Sequence, residues 1–197
     1  MARADVQYWK DRLTTWLLSH VAGQERRLKS GMQSVLLQLE LKGSLPKPMT
    51  AVELFGMHGL WHTMDYVRLV EHLDFFEIDK QYLDLARRNL GRYPVTFHHG
   101  DSIAWLRSCE KQYNFVVADI PFSGPFYHAD GMPLFLDDLV RITSPGGVLV
   151  FNAHAKHLSQ YPAFEACIRE HASGRTIADL FLVPRNSQVT YVVLTLA

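Results

Sequence analysis

From residue 51 onward, short apolar runs of strand length alternate with longer amphipathic stretches. Five runs are predicted strands: Ala51–Phe55, Leu73–Ile78, Val95–His98, Phe115–Ala118 and Val148–Asn152. Each is followed by a stretch with helical spacing: His62–His72, Lys80–Leu90, Ser102–Cys109, Pro133–Ile142 and Pro162–His171. Because a helix between two strands lets both run in the same direction, this alternation predicts an α/β fold with a parallel sheet covered on both faces.

The C-terminal end breaks this alternation. The strand-like runs Thr176–Pro184 and Gln188–Leu196 are separated only by Arg185-Asn186-Ser187. Three residues cannot form a crossover helix, so the two runs form a hairpin and the last strand runs antiparallel to the others. The whole pattern predicts a Rossmann-like, seven-stranded, mostly parallel sheet with a C-terminal antiparallel hairpin.

Residues 1–48 have a different pattern and are predicted to form an N-terminal helical extension. Apolar residues recur at helical spacing in two stripes: Trp9, Leu13, Trp16 and Leu17, then Val35, Leu36 and Leu39. The loop Gly43–Pro48 ends the extension, and residues 49–197 form the α/β domain. A chain of 197 residues is long enough for one such core.

Composition narrows the class of protein. Lys and Arg number 20, as do Asp and Glu, but residues 1–50 contain eight basic and four acidic side chains. That excess fits either contact with nucleic acid or an ordinary solvated helix face. Two cysteines are too few for a disulfide framework or a zinc cluster, which favours a reducing, cytoplasmic location. We expect no membrane span, because no apolar stretch approaches eighteen residues, and no metal, because the ten histidines form no closed ligand set.

Two segments have the composition of a nucleotide-binding crevice. Glu53-Leu54-Phe55-Gly56-Met57-His58-Gly59 lies where the first strand meets its helix, and glycines there allow a ligand to approach the backbone closely. Glu77 ends the second strand, where a carboxylate can accept hydrogen bonds from both ribose hydroxyls. Asp79, two residues later, is predicted to cap the following helix.

Two further segments follow the third and fourth strands. Asp101-Ser102 could either bind an adenine amino group or cap the next helix. Asp119-Ile120-Pro121-Phe122 follows a central strand and combines a carboxylate, a rigid proline and an aromatic ring. Such a set could hold an amine and stack on a planar group.

In order and spacing, these four segments resemble class I S-adenosylmethionine-dependent methyltransferases over roughly residues 50–197. The first segment follows the pattern (D/E)-L-F-x-G-x-G except at Met57, where the central glycine is missing. The resemblance implies S-adenosylmethionine as cofactor. It places the cofactor-binding residues at Glu53, Phe55, Gly56, Gly59, Glu77, Ile78, Asp101, Ser102 and Asp119.

The fourth segment resembles the (D/N/S)-(P/I/L)-P-(Y/F/W) motif of methyltransferases that act on planar amines, including nucleic-acid bases. By this resemblance Asp119, Pro121 and Phe122 are catalytic, with Asp119 orienting the amine and Phe122 stacking on the ring. DNA, RNA, proteins and small molecules all remain open as the acceptor, and the basic excess of residues 1–50 favours DNA or RNA as the partner. A partner subunit could supply recognition of the acceptor.

Two alternatives remain open. Phe76-Glu77-Ile78-Asp79, Gly100-Asp101 and the Ser123-Gly124-Pro125 that follows Asp119 are similar to aminopropyltransferases of the same fold. The second alternative is an interaction protein with a decayed site, for which Met57 and His58 in the glycine loop are the evidence.

Overall fold

A computed structural model of the chain describes residues 31–122, 125–128, 131–154, 161–172, 174–186 and 188–197. The predicted extension up to residue 30, including the stripe from Trp9 to Leu17, lies outside the described residues. Its described part is helix α1, Met32–Leu41, in which Val35 and Leu39 are fully buried.

Seven strands form one sheet in the order β3-β2-β1-β4-β5-β7-β6. Their bounds are β1 Met49–Leu54, β2 Val70–Glu77, β3 Val95–His99, β4 Tyr113–Ala118, β5 Thr143–His154, β6 Ile177–Pro184 and β7 Val189–Leu196. Strands β1 to β5 pair in parallel, whereas β7 lies between β5 and β6 and runs antiparallel to both. The predicted fold class, including the antiparallel hairpin, is confirmed.

Helices cover both faces of the sheet, as predicted. The helices after α1 are α2 Thr63–Tyr66, α3 Lys80–Leu90, α4 Ser102–Ser108, α5 Leu136–Ile142 and α6 Tyr161–Glu170. Helices α1 to α3 pack on one face and α4 to α6 on the other. In β4, Phe115 and Val117 pack in the core beneath α1 to α3, whereas Val116 and Ala118 pack in the core beneath α4 to α6. This follows from the alternation of side chains along a strand.

The sequence reading misplaced two helix boundaries. The helix predicted over His62–His72 is a single turn, α2, because Val70 is buried and pairs with Met49 at the start of β2. The helix predicted from Pro133 begins at Leu136, because Pro133 forms a β-bridge with Tyr127. Within the described ranges, no helix has the length and apolar character needed to cross a membrane.

The strand order defines where a ligand can enter. The chain moves outward from β1 to β3 on one side and from β4 to β5 on the other, so the order reverses between β1 and β4. In open α/β sheets, ligands bind beyond the carboxyl ends of the strands at such a point. The segments after β1, β2 and β4 therefore border one crevice.

Candidate active site

The loop after β1 is held tightly against the second strand. A Cβ on Gly56 would lie 2.2 Å from the Phe75 ring, and one on Gly59 would lie 2.5 Å from Leu90. Phe55 and Met57 have positive φ values of 62° and 50°, which side chains rarely adopt. Both predicted glycines are thus required by close packing, and Met57 takes a conformation that usually favours glycine.

Glu77 holds this loop in place from the end of β2. Its Oε2 accepts a hydrogen bond from the Met57 N–H at 2.8 Å, and its Oε1 accepts one from the Asp79 N–H at 2.7 Å. Burial raises the pKa of Glu77 above its ordinary value, and these backbone hydrogen bonds oppose the rise. Each carboxylate oxygen keeps a free lone pair, so Glu77 can still accept two ligand hydroxyls.

The ends of β2 and β3 form the outer side of the crevice. Ile78 exposes 65% of its surface there, although its side chain is apolar. Asp101 caps α4, because its Oδ1 accepts from the backbone N–H groups of Ile103 at 2.9 Å and Ala104 at 3.3 Å. Ser102 is buried beside it. Asp79 likewise caps α3, as predicted, by accepting from Gln81 at 2.7 Å.

Glu53 lies beneath the loop and is fully buried. It accepts hydrogen bonds from the hydroxyls of Thr63, at 2.8 Å, and Tyr66. Its Oε1 lies 2.8 Å from Nε2 of His62. The structure therefore places Glu53 in a network with the side chains of α2 and the residue before it, and not on the surface of the crevice.

His62 joins the two buried carboxylates of the site. Its Nδ1 lies 3.7 Å from Oδ2 of Asp119. Burial acts to lower the pKa of His62, but the charges of Glu53 and Asp119 outweigh burial and raise it. The imidazole thus lies between two carboxylates whose charges favour its protonated form.

Asp119 is paired with a residue from the C-terminal hairpin. Nη1 of Arg185 lies 3.1 Å from Oδ1 of Asp119 and 3.4 Å from Oδ2. The Arg185 guanidinium lies over the Trp61 ring, 4.8 Å from its centroid, and 5.8 Å from the centroid of Tyr191. The pair is enclosed, because only 7% of the Asp119 side chain and 15% of the Arg185 side chain are exposed.

The backbone after Asp119 is fixed by Asn152 at the end of β5. The Ile120 N–H donates to Oδ1 of Asn152 at 2.8 Å, and the Asn152 side-chain amide donates to the Ile120 carbonyl at 2.9 Å. The Tyr127 hydroxyl donates to the same carbonyl at 3.2 Å. Pro121 follows, and Phe122 stacks on Tyr127 at 5.5 Å with 40% of its surface exposed.

His58 is a loop contact, as its position suggested. Its Nδ1 accepts a hydrogen bond from the Leu60 N–H at 3.2 Å, and burial with the charge of His62 lowers its pKa to about 4. It is therefore neutral at pH 7. Among the described residues, no group of three or more His, Cys, Asp or Glu side chains is arranged to hold a metal ion.

The predicted residues form three groups. Gly56, Gly59 and Glu77 meet at the loop; Asp101 and Ser102 lie at the end of β3; and Glu53 approaches Asp119 through His62. Sequence reasoning missed the side chains that surround Asp119 and Ile120: His62, Trp61, Asn152, Arg185 and Tyr191. His62 fell within a predicted helix and Arg185 within a predicted turn, so neither belonged to a local motif.

Comparison with known proteins identifies the fold. No family model matches the chain. The polyamine aminopropyltransferase of Streptococcus uberis is 21% identical over 136 residues, which cover 64% of this chain and 47% of that protein. The chain thus spans about half the length of this curated relative.

Solved structures of methyltransferases match more of the chain. The S-adenosylmethionine-dependent methyltransferase of Agrobacterium tumefaciens has a TM-score of 0.64 at 18% identity, over 86% of this chain and 63% of that one. The tRNA m1G37 methyltransferase of M. jannaschii has a TM-score of 0.60 at 13% identity, over 87% and 50%. The chain has the Rossmann-like fold of these methyltransferases.

Proposed function

We propose that this chain is an S-adenosylmethionine-dependent methyltransferase that methylates a nitrogen of a planar amine, such as a nucleic-acid base. One observation carries the proposal. The tight loop after β1, the buried Glu77 and the enclosed Asp119 lie together at the carboxyl ends of β2, β1 and β4, where the strand order reverses.

The residues of the crevice fit the cofactor. Glu77 keeps two free lone pairs for ribose hydroxyls, while Ile78 presents an apolar side chain and Ser102 a hydroxyl near the place for adenine. Met57 does not block this arrangement, because its N–H is turned toward Glu77 and its backbone is already left-handed. When bound, S-adenosylmethionine supplies an electrophilic methyl group on a sulfonium ion.

The acceptor would bind between Asp119 and Phe122, on the side of Asp119 away from the cofactor loop. Phe122 has Tyr127 on one side and retains exposed surface, so it offers a platform for a planar ring. Asp119 has lone pairs beyond those used by Arg185 and can accept an N–H of the amine. The Ile120 carbonyl already has two donors, so Asp119 is the principal acceptor in this segment. Catalysis would then consist mainly of positioning and exclusion of water.

Nucleic acid is the acceptor class that we favour. The M. jannaschii neighbour acts on tRNA, and residues 1–50 have an excess of four basic side chains over acidic ones. A base within a duplex would have to be flipped out before it could stack on Phe122. A partner subunit could supply the remaining surface for recognition.

Aminopropyl transfer is the second candidate, favoured by the similarity to the Streptococcus uberis enzyme. Its acceptor would be a cationic diamine bound by acidic residues. Arg185, 3.1 Å from Asp119, opposes this, because its positive charge would repel a second cation at that carboxylate.

The test is a transfer assay with two donors in parallel. Methyl-labelled S-adenosylmethionine is incubated with unmodified tRNA, ribosomal RNA fragments, DNA and free nucleosides, and decarboxylated S-adenosylmethionine with putrescine. We expect label on a nucleobase nitrogen, no aminopropyl product, and loss of transfer in Asp119→Asn. Formation of spermidine would favour the second candidate. Absence of both transfer and cofactor binding would indicate an interaction protein with a decayed site.

A further inference from the structure

Arg185 carries more hydrogen-bond donors than its described neighbours use. Its Nη1 donates to Asp119, but among the described residues Nε and Nη2 have no acceptor. A guanidinium has five N–H donors, and only 15% of this side chain is exposed. The remaining N–H groups of a guanidinium can donate to both oxygens of a carboxylate.

The guanidinium is held in a fixed position beside the loop. Trp61, over which it lies at 4.8 Å, is only two residues beyond Gly59. Asp119 fixes its other side at the end of β4. Trp61 and Asp119 therefore hold the guanidinium between the segment that follows the loop and the end of β4.

A second donor without a partner lies next to Arg185. The hydroxyl of Tyr191 is buried and makes no hydrogen bond to any described residue. Burial and the charge of Asp119 raise the pKa of Tyr191, so the hydroxyl keeps its proton. Arg185 and Tyr191 are thus neighbouring donors, with the guanidinium carbon 5.8 Å from the centroid of the Tyr191 ring, and together they could bind a small anion.

We propose that Arg185 binds the carboxylate at the methionine end of S-adenosylmethionine, with the Tyr191 hydroxyl as a second donor. This inference rests on the proposed function. Asp119 and Trp61 then act on Arg185 as positioning residues, in addition to the part of Asp119 in holding the acceptor. Arg185 comes from the hairpin between β6 and β7, far in sequence from every predicted cofactor segment.

A carboxylate of the cofactor fits better than an anionic group of the acceptor. Arg185 lies over Trp61, two residues beyond Gly59, so the guanidinium is next to the segment that follows the proposed cofactor loop. A consequence is selectivity: decarboxylated S-adenosylmethionine lacks the group that Arg185 would bind.

The test compares two ligands on four proteins by calorimetric titration: wild type, Arg185→Met, Arg185→Lys and the control Arg88→Met. Arg88 is exposed on α3, away from the crevice. We expect Arg185→Met to weaken S-adenosylmethionine about 10- to 100-fold, because a charge-assisted pair of hydrogen bonds is lost. Its affinity for decarboxylated S-adenosylmethionine should change less than about threefold.

The lysine variant keeps the charge but not the two-pronged donor geometry. We expect an intermediate loss with S-adenosylmethionine alone, which tests the inference even if the methionine variant does not fold. Equal losses for both ligands, or no loss for either, would overturn the role of Arg185 while leaving the proposed function in place. A wild-type protein that prefers the decarboxylated ligand would also overturn it, and one that binds neither would overturn the proposed function as well.

Discussion

Replacement of Glu77 should affect both cofactor binding and stability, and the structure allows the two effects to be separated. In Glu77→Ala, the N–H groups of Met57 and Asp79 lose their acceptors at 2.8 Å and 2.7 Å. Each buried N–H left without a partner costs about 1–3 kcal/mol. Since the site borders a crevice that water can enter, we expect the free energy of unfolding to fall by about 2–4 kcal/mol.

Glu77→Gln is the sharper variant. Its remaining carbonyl oxygen can replace one of the two acceptors, so we expect about half the stability loss of the alanine variant. For the ligand, two hydrogen bonds to a charged acceptor become at most one to a neutral acceptor, a loss of about 3 kcal/mol. The dissociation constant for S-adenosylhomocysteine should therefore rise more than about 100-fold.

The assay pairs urea unfolding with calorimetric titration of S-adenosylhomocysteine, which avoids turnover. Glu71→Gln is the matched control, since Glu71 is on the same strand but exposed. We expect the control to keep both its stability and its affinity. An unchanged dissociation constant in folded Glu77→Gln would refute the assignment of Glu77 to the ribose.

Three other predictions concern the loop, a buried histidine and the acceptor platform. Gly56→Ala puts a Cβ 2.2 Å from the Phe75 ring; overpacking of this kind costs about 2 kcal/mol and should lower the Tm by about 4–8 °C. If the clash with Phe75 is the cause, Phe75→Leu should reduce the free energy of unfolding less in the Gly56→Ala protein than in the wild type. Equal effects of Phe75→Leu in the two proteins would contradict the clash. Burial lowers the pKa of His58 from 6.5 to about 4, so between these pH values the unfolded chain binds a proton at this residue and the folded protein does not. The contribution of His58 to the free energy of unfolding is therefore complete above pH 6.5, and about 3 kcal/mol of it is lost as the pH falls toward 4. His58→Asn, which retains an acceptor for Leu60, should flatten the fall in unfolding free energy measured between pH 6.5 and 4, and an unchanged slope would exclude His58 as its source. Phe122→Ala should lower kcat/KM for a nucleobase acceptor about 5- to 100-fold while the affinity for S-adenosylhomocysteine stays constant; a parallel loss of cofactor affinity would place Phe122 in the cofactor site instead.

The strands of the sheet were predictable because buried parallel strands leave continuous apolar runs in the sequence. Val116 and Val117 face opposite cores, so both have to be apolar. Helix α3 was predicted with its observed bounds, since Asp79 caps it and its apolar positions recur at helical spacing. The single turn α2 was not, because the chain already enters β2 at Val70, which is buried and pairs with Met49.

The sequence indicated only those site residues that directly follow a strand and belong to a recognisable local motif. Gly56, Glu77 and Asp119 each follow a strand, so their meeting at one edge of the sheet follows from topology. The pairing of Asp119 with Arg185 joins residues 66 positions apart, and nothing in a three-residue turn indicates it. Likewise, the hairpin was predicted, but its placement in the sheet was not. In the structure β7 lies between β5 and β6, and a short hairpin loop does not indicate which of its two strands pairs with β5.

Met57 stands where the motif of the loop usually has a glycine, and the structure shows how the loop accommodates it. A side chain where the motif usually has glycine suggested a weakened or decayed loop. The structure shows that Met57 adopts a φ of 50° and that its N–H donates to Glu77 at 2.8 Å. The cost of a left-handed side-chain residue, about 1 kcal/mol, is offset by that hydrogen bond to a carboxylate.

The most direct test of the central claim is photochemical labelling with methyl-labelled S-adenosylmethionine, followed by mapping of the labelled peptides by mass spectrometry. The account predicts label in the segment from Phe55 to His62 or from Glu77 to Asp79, abolished by excess S-adenosylhomocysteine and by Glu77→Gln. Label confined to other segments, or label that excess S-adenosylhomocysteine does not remove, would contradict the claim that this crevice holds the cofactor.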